Sequence, residues 1–353
     1  MSNFRVVGVG FDHMHIGDQL AVAMAHDGVE IVGAYDSPAH PHRAQEVLDS
    51  LGLDVPVFHD LDDLLAAVSP DLAFICVPTL DHAEVVTHLA AAGVHVIIEK
   101  PLSDSEAGAR LIVDAAQTSR ALVTVNWPLA WEPSHRTARR LIAEGMIGRV
   151  TEVHFYDGNR GPLHHGHGKI EFHPSTEDKA GSWWYDPSLG GGSMRDYLGY
   201  GTTLGTWFRD GEMPYAVTAA SFVPEGLAVD EQSVVIGHYT DGLSVFETRW
   251  GTFTDPWTTQ PQPKCGFIIN GSAGSIASWD YEDEVTLHSQ GGVQVIPADE
   301  IAPEDASALA NVIAHLRDGR PLDQPLTLET TSAGHAIIEA AVRSAQTGRR
   351  IDL

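Results

Sequence analysis

The sequence predicts an α/β protein in two parts: a doubly wound parallel sheet, then an α/β segment built on a large, open, mostly antiparallel sheet. Three observations predict it. Through the first third, short apolar runs alternate with amphipathic stretches, the rhythm of strand-helix-strand units. From about residue 150 that rhythm gives way to consecutive alternating runs. A glycine turn closes the first apolar run, as a phosphate-binding turn requires. At 353 residues the chain has room for two domains and a sizeable core, and the division falls between 1–125 and 126–353.

Arg5-Val6-Val7-Gly8-Val9-Gly10 reads as a strand running into a turn, with an amphipathic helix from Ile16 to Ala25 after it. Gly8 and Gly10 allow close backbone approach to a pyrophosphate, whose charge then faces helix N-terminal amides. The third small residue of the usual pattern is absent, because His13 stands there and Gly17 comes late. The next strand, Val29 to Tyr35, ends in Asp36. A carboxylate there hydrogen-bonds ribose hydroxyls and repels a ribose phosphate, so NAD is expected in preference to NADP. Ser37 and Pro38 follow rather than an arginine, and Arg43 is the nearest basic residue. The plainer reading of Asp36 is a turn residue before Pro38.

Leu72 to Val77 is apolar and Ala83 to Ala92 helical, and Val94-His95-Val96-Ile97-Ile98 forms another apolar run. Glu99-Lys100-Pro101 sits at its carboxyl end, the edge where open α/β sheets bind ligands. Pro101 stops the strand, leaving the Lys100 amine placed for a substrate oxygen or a partner acid. The alternative is a solvated lysine ending a strand. Ala121 to Asn126 closes this part. The second part contains the runs Val150 to Tyr156, Ala216 to Val223, Ser233 to Tyr239, Ser244 to Trp250, Phe267 to Asn270 and Val293 to Ile296. Helices are expected at Ser307 to Arg317, at Thr330 to Gln346 and from near Tyr200. The irregular stretch from Asp157 to Gly192 is too long for a mere connector.

Composition excludes several classes. A formal charge of -27 argues against nucleic acid or an anionic membrane as partner. Cys76 and Cys265 supply neither a disulfide framework nor a zinc-ribbon spacing. No apolar stretch reaches membrane-spanning length and no basic-then-apolar signal opens the chain, so a cytoplasmic enzyme is expected.

The glycine turn with Asp36, Pro78-Thr79-Leu80-Asp81-His82, Glu99-Lys100-Pro101, Asn126, Glu144-Gly145-Met146-Ile147-Gly148, Trp183 with Asp186-Pro187, Gly190-Gly191-Gly192-Ser193-Met194-Arg195-Asp196 and Asn270-Gly271-Ser272-Ala273-Gly274 follow one another along the chain. This order resembles that of the Gfo/Idh/MocA oxidoreductases over essentially the whole length. The resemblance implies an N-terminal Rossmann domain, a C-terminal α/β domain, and hydride transfer between a nicotinamide cofactor and one carbon of a sugar, inositol or similar polyol. It implies catalytic roles for Lys100, Asp196 and Tyr200. Cofactor contacts are expected from Gly8, Gly10, Phe11, Asp36, Pro78, Thr79, His82, Glu99, Lys100 and Asn126. Substrate contacts are expected from Lys100, Trp127, Asp196, Tyr200, His165 and Trp183.

Tyr200 departs from the commonest family pattern, which has histidine there, and resembles the glucose-fructose oxidoreductase and dihydrodiol dehydrogenase branches, where a tyrosine is the acid/base. A free phenol, with a pKa of about 10, is a poor base at neutral pH, but a neighbouring ammonium favours the phenolate. Lys100 is expected to supply that field. Tyr197 is the rival for this role, and Asp196 reads alternatively as a cap before the helix near Tyr200. Arg195 and Trp184 also depart from relatives, which commonly carry an apolar residue and an arginine.

No metal is assigned. His164, His165, His167 and His173 lie in the long irregular stretch, where substrate contact, metal binding and packing are all open readings. His13 and His15 occupy the phosphate turn, as cofactor contacts or as surface groups. The broad sheet face is expected to be covered in a homodimer or homotetramer, because half-apolar faces are costly to leave wet. Two other functions fit the same motifs: a redox-neutral enzyme that keeps NAD tightly bound, for epimerisation or glycoside cleavage, and a non-catalytic NAD and sugar sensor.

Overall fold

The apolar runs of the first third form a six-stranded sheet in the computed structural model, which describes residues 3–38, 42–166 and 170–353. In chain order its elements are β1 (Phe4–Val9), α1 (His15–Met24), β2 (Val29–Tyr35), α2 (Arg43–Leu51), β3 (Val57–Phe58), α3 (Leu61–Val68), β4 (Leu72–Ile75), α4 (His82–Ala91), β5 (His95–Glu99), α5 (Glu106–Thr118) and β6 (Val123–Asn126). The strands lie in the order β3-β2-β1-β4-β5-β6 and every pair is parallel. Every residue of β4 is buried, as is β5 from Val96 onward, which explains why these strands read as unbroken apolar runs. Strand order reverses between β1 and β4, so the carboxyl ends there open onto the crevice such sheets use for ligands.

The second part contains α6 (Pro133–Ala143), β7 (Val150–Asn159), α7 (Thr176–Ala180), α8 (Ser193–Phe208), β8 (Ala216–Phe222), β9 (Gln232–Tyr239), β10 (Gly242–Trp250), β11 (Gly266–Gly271), β12 (Gly274–Trp279), β13 (Glu284–Ser289), β14 (Gly292–Pro297), α9 (Ala308–Asp318), α10 (Leu328–Thr347) and β15 (Ile351–Asp352). Its nine strands run β14-β13-β12-β11-β7-β10-β9-β8-β15, and only the β7-β10 pair is parallel. Both expected sheets are therefore present. By contacts the chain forms two units. The first takes the chain to Asn126 together with His165–His173 and Ala308–Leu322, two segments expected with the second part. One reason is on α9, where the Arg317 guanidinium lies 6.0 Å from the centre of the Phe4 ring on β1.

Register explains the two faces of the large sheet. Val235, Phe246, Phe155 and Phe267 face one another across β9, β10, β7 and β11, and all are buried. Against this row lies α8, with Phe208 packed edge-on to Phe267 at 5.1 Å. A Cβ on Gly201 would sit 2.5 Å from the Phe155 ring, so only glycine lets α8 approach this closely. Gly199, Gly201 and Gly205 make α8 a poor helix by propensity, and burial on nearly every side compensates. The helix begins at Ser193 rather than near Tyr200, which corrects the reading of Asp196 as a residue before it: Asp196 is inside the first turn. On the same face, α6 is anchored by buried His135, which lies edge-on to Phe267 at 5.1 Å and whose ring nitrogens reach Ser278 Oγ at 2.7 Å and Asp280 Oδ1 at 2.8 Å.

A methyl at position 201 must displace α8 from β7. Gly201→Ala is expected to lose about 1–3 kcal/mol of stability, read as a lower urea midpoint. An unchanged midpoint would show that the helix-sheet contact yields freely.

Candidate active site

The first unit builds a dinucleotide cradle from the ends of its parallel strands. Gly10 holds φ +81, and a Cβ there would lie 2.4 Å from a Val77 methyl, so the turn between β1 and α1 admits no side chain at this point. Its N–H donates to Tyr35 O at 2.9 Å, tying the turn to the end of β2. Phe11 is buried with its ring in contact range of Gly8. Asp36 is fully buried; its Oδ1 accepts from Ser37 N–H at 3.0 Å and its Oδ2 from Ala44 N–H at 2.8 Å. Arg43, the first residue of α2, pairs with Asp12 in the glycine turn. A side-chain-free turn at a helix start and a fixed carboxylate closing β2 fit a dinucleotide.

After β4, Pro78 precedes a 3-10 turn over Thr79–Asp81 that leads into α4, and Thr79 is buried. His82 is also buried, its Nε2 3.2 Å from Val77 O and its Nδ1 3.3 Å from Leu102 O. Its ring therefore braces two loops as well as lining this edge. Glu99 closes β5 opposite Asn126 of β6 and is buried. It accepts from Gln19 Nε2 at 3.1 Å and bonds His15 Nδ1 at 3.0 Å, so two residues of α1 one turn apart clasp its carboxylate. The next residue, Lys100, is 4% exposed, which rules out the solvated-lysine alternative. His13 accepts the His15 N–H on Nδ1 at 3.1 Å. Burial first, then the fields of His15, Lys100, His82 and His165, push its pKa well below the usual histidine value.

The second unit contains α8. Gly192 at its N-cap has no side chain to cap with, and Asp230 from the β8-β9 loop does so instead. Its Oδ2 accepts from Met194 N–H at 2.9 Å and from Ser193 Oγ–H at 2.6 Å. Asp196 and Tyr200 are separated by one helical turn and both are buried. Trp250, the last residue of β10, donates its indole N–H to Asp196 Oδ2 at 3.2 Å. Tyr200 meets the edge of the Trp127 ring at 5.6 Å, and the Trp127 N–H donates to Thr331 Oγ1 at 3.2 Å. Tyr197 lies 6.3 Å from Tyr200 by ring centres, and burial followed by the Asp196 charge pushes its hydroxyl well above the usual phenol range. Trp183 stacks on Trp184 at 4.0 Å, and Trp184 in turn meets Trp250. Tyr185 donates to Glu231 Oε1 at 3.0 Å, which also takes Lys179 Nζ at 2.8 Å. Arg195 pairs with Glu339 at 2.7 Å.

Gln19, Trp250, Asp230 and Glu231 were not foreseen from the sequence. Only Gln19 had a legible signal, four residues after His15 on an amphipathic stretch. The histidine group is divided: His164 belongs to the second unit, His165 and His173 to the first, and His167 lies outside the described residues. Among the described residues, two other groups bring metal-ligating atoms within 4.8 Å of one another, His13-His15-Glu99 and Asp157-Cys265-Asp280. In the second group burial pushes the Cys265 thiol up, keeping it protonated, while Asp280 is raised to about 8 by burial and bonded to His135.

Comparison with known proteins agrees with this fold. Residues 2–127 match a family model described as an oxidoreductase family with an NAD-binding Rossmann fold, and residues 135–277 match the GFO/IDH/MocA C-terminal domain. An uncharacterized oxidoreductase of Schizosaccharomyces pombe is 28% identical over 251 residues, 67% of this chain and 60% of that protein. The chain thus matches about three fifths of that relative's length. The 1,5-anhydro-D-fructose reductase of Ensifer adhaerens is 24% identical over 278 residues, 77% of this chain and 76% of the reductase. Among solved structures, the aldose-aldose oxidoreductase from Caulobacter crescentus complexed with glycerol superposes with a TM-score of 0.79 at 16% identity, covering 99% of this chain and 100% of that one. No helix among the described residues is long and apolar enough to cross a membrane.

The lowered pKa of His13 sets a pH dependence. The native state keeps this ring neutral, whereas the unfolded chain protonates it below about 6.5. The unfolded state then binds more protons, so His13 costs stability as pH falls from about 6.5 toward its native value. Urea midpoints at pH 7.5 and 5.5 are expected to differ less in His13→Asn than in wild type; an equal difference would show that His13 titrates alike in both states.

Proposed function

The chain belongs to the Gfo/Idh/MocA oxidoreductase family, and from that premise we propose that it is an NAD-dependent oxidoreductase acting on one carbon of a sugar, inositol or related polyol. The observation that carries the reading is the pairing of Asp196 with Tyr200 on one face of α8, with Asp196 held by the Trp250 indole. The indole fixes the position of a carboxylate, the acceptor type that orients a substrate hydroxyl. The relative named as a 1,5-anhydro-D-fructose reductase supports the sugar class.

When bound, the nicotinamide ring accepts or returns the hydride. The residues of the chain do the rest. Gly8, Gly10 and Phe11 seat the pyrophosphate, Asp36 holds the adenosine ribose and favours NAD over NADP, and Pro78, Thr79, His82, Glu99 and Asn126 shape the approach to the nicotinamide. Lys100 holds the reacting oxygen with its ammonium group. Tyr200 takes the hydroxyl proton on oxidation and returns it on reduction, and Asp196 orients the hydroxyl. Tyr197, next to Asp196 and with its hydroxyl pushed well above the usual phenol range by burial, is the rival for this role. Trp127, Trp183 and His165 complete the substrate contacts.

The same reading places a homodimer or homotetramer on the outer face of the large sheet. Across it Thr218, Ile236, Val245, His154, Ile268, Ala277, Thr286 and Val295 stand in one row, none of them buried. Such a half-apolar row is the pattern a second copy covers.

The test is NADH absorbance with a panel of aldoses, inositols, anhydrosugars and glycosides. Tyr200→Phe is expected to lose about 10²–10⁴ in turnover and Tyr197→Phe less than about tenfold. The reverse order would move the acid/base to Tyr197. Product formed without added cofactor and without NADH release would assign the redox-neutral reaction instead.

A further inference from the structure

Discrimination against NADP is usually assigned to the acid that ends β2, and here that acid is heavily engaged. Asp36 is fully buried, with one oxygen accepting from Ser37 N–H and the other from Ala44 N–H at the start of α2. A cation waits beside it. Arg43 is the first residue of α2 and is the group that would reward a ribose phosphate, through paired charge-assisted hydrogen bonds. Its guanidinium instead pairs with Asp12, two residues past Gly10. The ion pair therefore links the glycine turn to the first residue of α2, the two flanks of the place where this fold holds the adenosine ribose.

The pair is asymmetric: the Asp12 side chain is 9% exposed and that of Arg43 is 40% exposed. The acid is the anchored member and the guanidinium is held by it. Asp12 also adds to a local excess of carboxylates. Asp81, at the end of the turn after β4, has its pKa raised by burial first and then by the charges of Glu84 and Asp12. A phosphate brought to this place would meet three acids, Asp12, Asp36 and Asp81, and an arginine already neutralised.

We infer that Asp12 is a coenzyme-specificity residue, which excludes the 2′-phosphate of NADP by sequestering Arg43. The inference rests on the NAD preference proposed above and explains it by a residue outside the β2 acid. Without Asp12 the guanidinium is released at the ribose, and the same arginine that is silent toward NAD becomes a phosphate ligand.

Titration calorimetry of the full chain with NAD and with NADP tests this without any substrate. Wild type is expected to bind NAD more tightly. Asp12→Asn, checked for folding by its melting temperature, is expected to improve NADP binding relative to NAD by at least about tenfold, the worth of one good guanidinium-phosphate contact. Arg43→Ala alone should move that ratio less than about threefold, because its charge is already spent on Asp12, and the double variant should lose the gain. An unchanged ratio in Asp12→Asn overturns the inference, and so does a gain that survives in the double variant, since bare charge removal would then suffice. Equal binding of both coenzymes by wild type overturns the preference itself, a result distinct from either.

Discussion

The clasp on Glu99 is the interaction on which the arrangement of the first unit depends. A buried carboxylate at the end of a parallel strand is costly unless its lone pairs are used. Here His15 and Gln19 use them, and both come from α1, the helix that follows the glycine turn. One acid thus fixes the carboxyl end of β5 against the start of α1. The glycine turn and the strand end that carries Lys100 are set by a single side chain, so neither can shift without the other.

The second unit solves a related problem by different means. Its key helix, α8, has neither the propensity nor the cap to start alone, since three glycines lie within it and a fourth stands at its N-cap. Packing of Gly201 against Phe155 supplies the first need and Asp230 supplies the second. The sheet therefore determines the helix: the row of buried aromatic residues on β7, β10 and β11 sets how α8 lies, and β10 ends in the tryptophan that holds Asp196. Substitutions at the sheet end reach Asp196 through the indole even though they touch no substrate.

This difference between the units is also why the sequence was more legible in one than in the other. In the first, β4 and most of β5 are unbroken apolar runs and β2 ends one residue before Asp36, so Asp36 and Glu99-Lys100 could be placed by counting. In the second, the glycine run before Ser193 and Gly199 oppose helix formation locally, and the start of the helix was expected near Tyr200 rather than at Ser193 for that reason. Strands β12 and β13, each paired on both sides, escaped because their buried apolar residues are few, Ile276 in one and Val285 and Leu287 in the other. Trp250 and Asp230 act across distances in sequence of 54 and 36 residues, and no local pattern encodes such a partnership. Gln19 was within reach by helical spacing from His15.

Residues 308–322 belong to the first unit although they follow the end of β6 by most of the second. Their helix lies at the amino ends of the strands, with Arg317 over Phe4 and His315 close enough to His95 to influence its charge. During synthesis, the parallel sheet can assemble early but its lower rim stays open until nearly the whole chain has emerged. The first unit is thus closed in reverse: a segment made late seals the sheet made first, and the nascent chain carries an unfinished nucleotide fold for most of its translation.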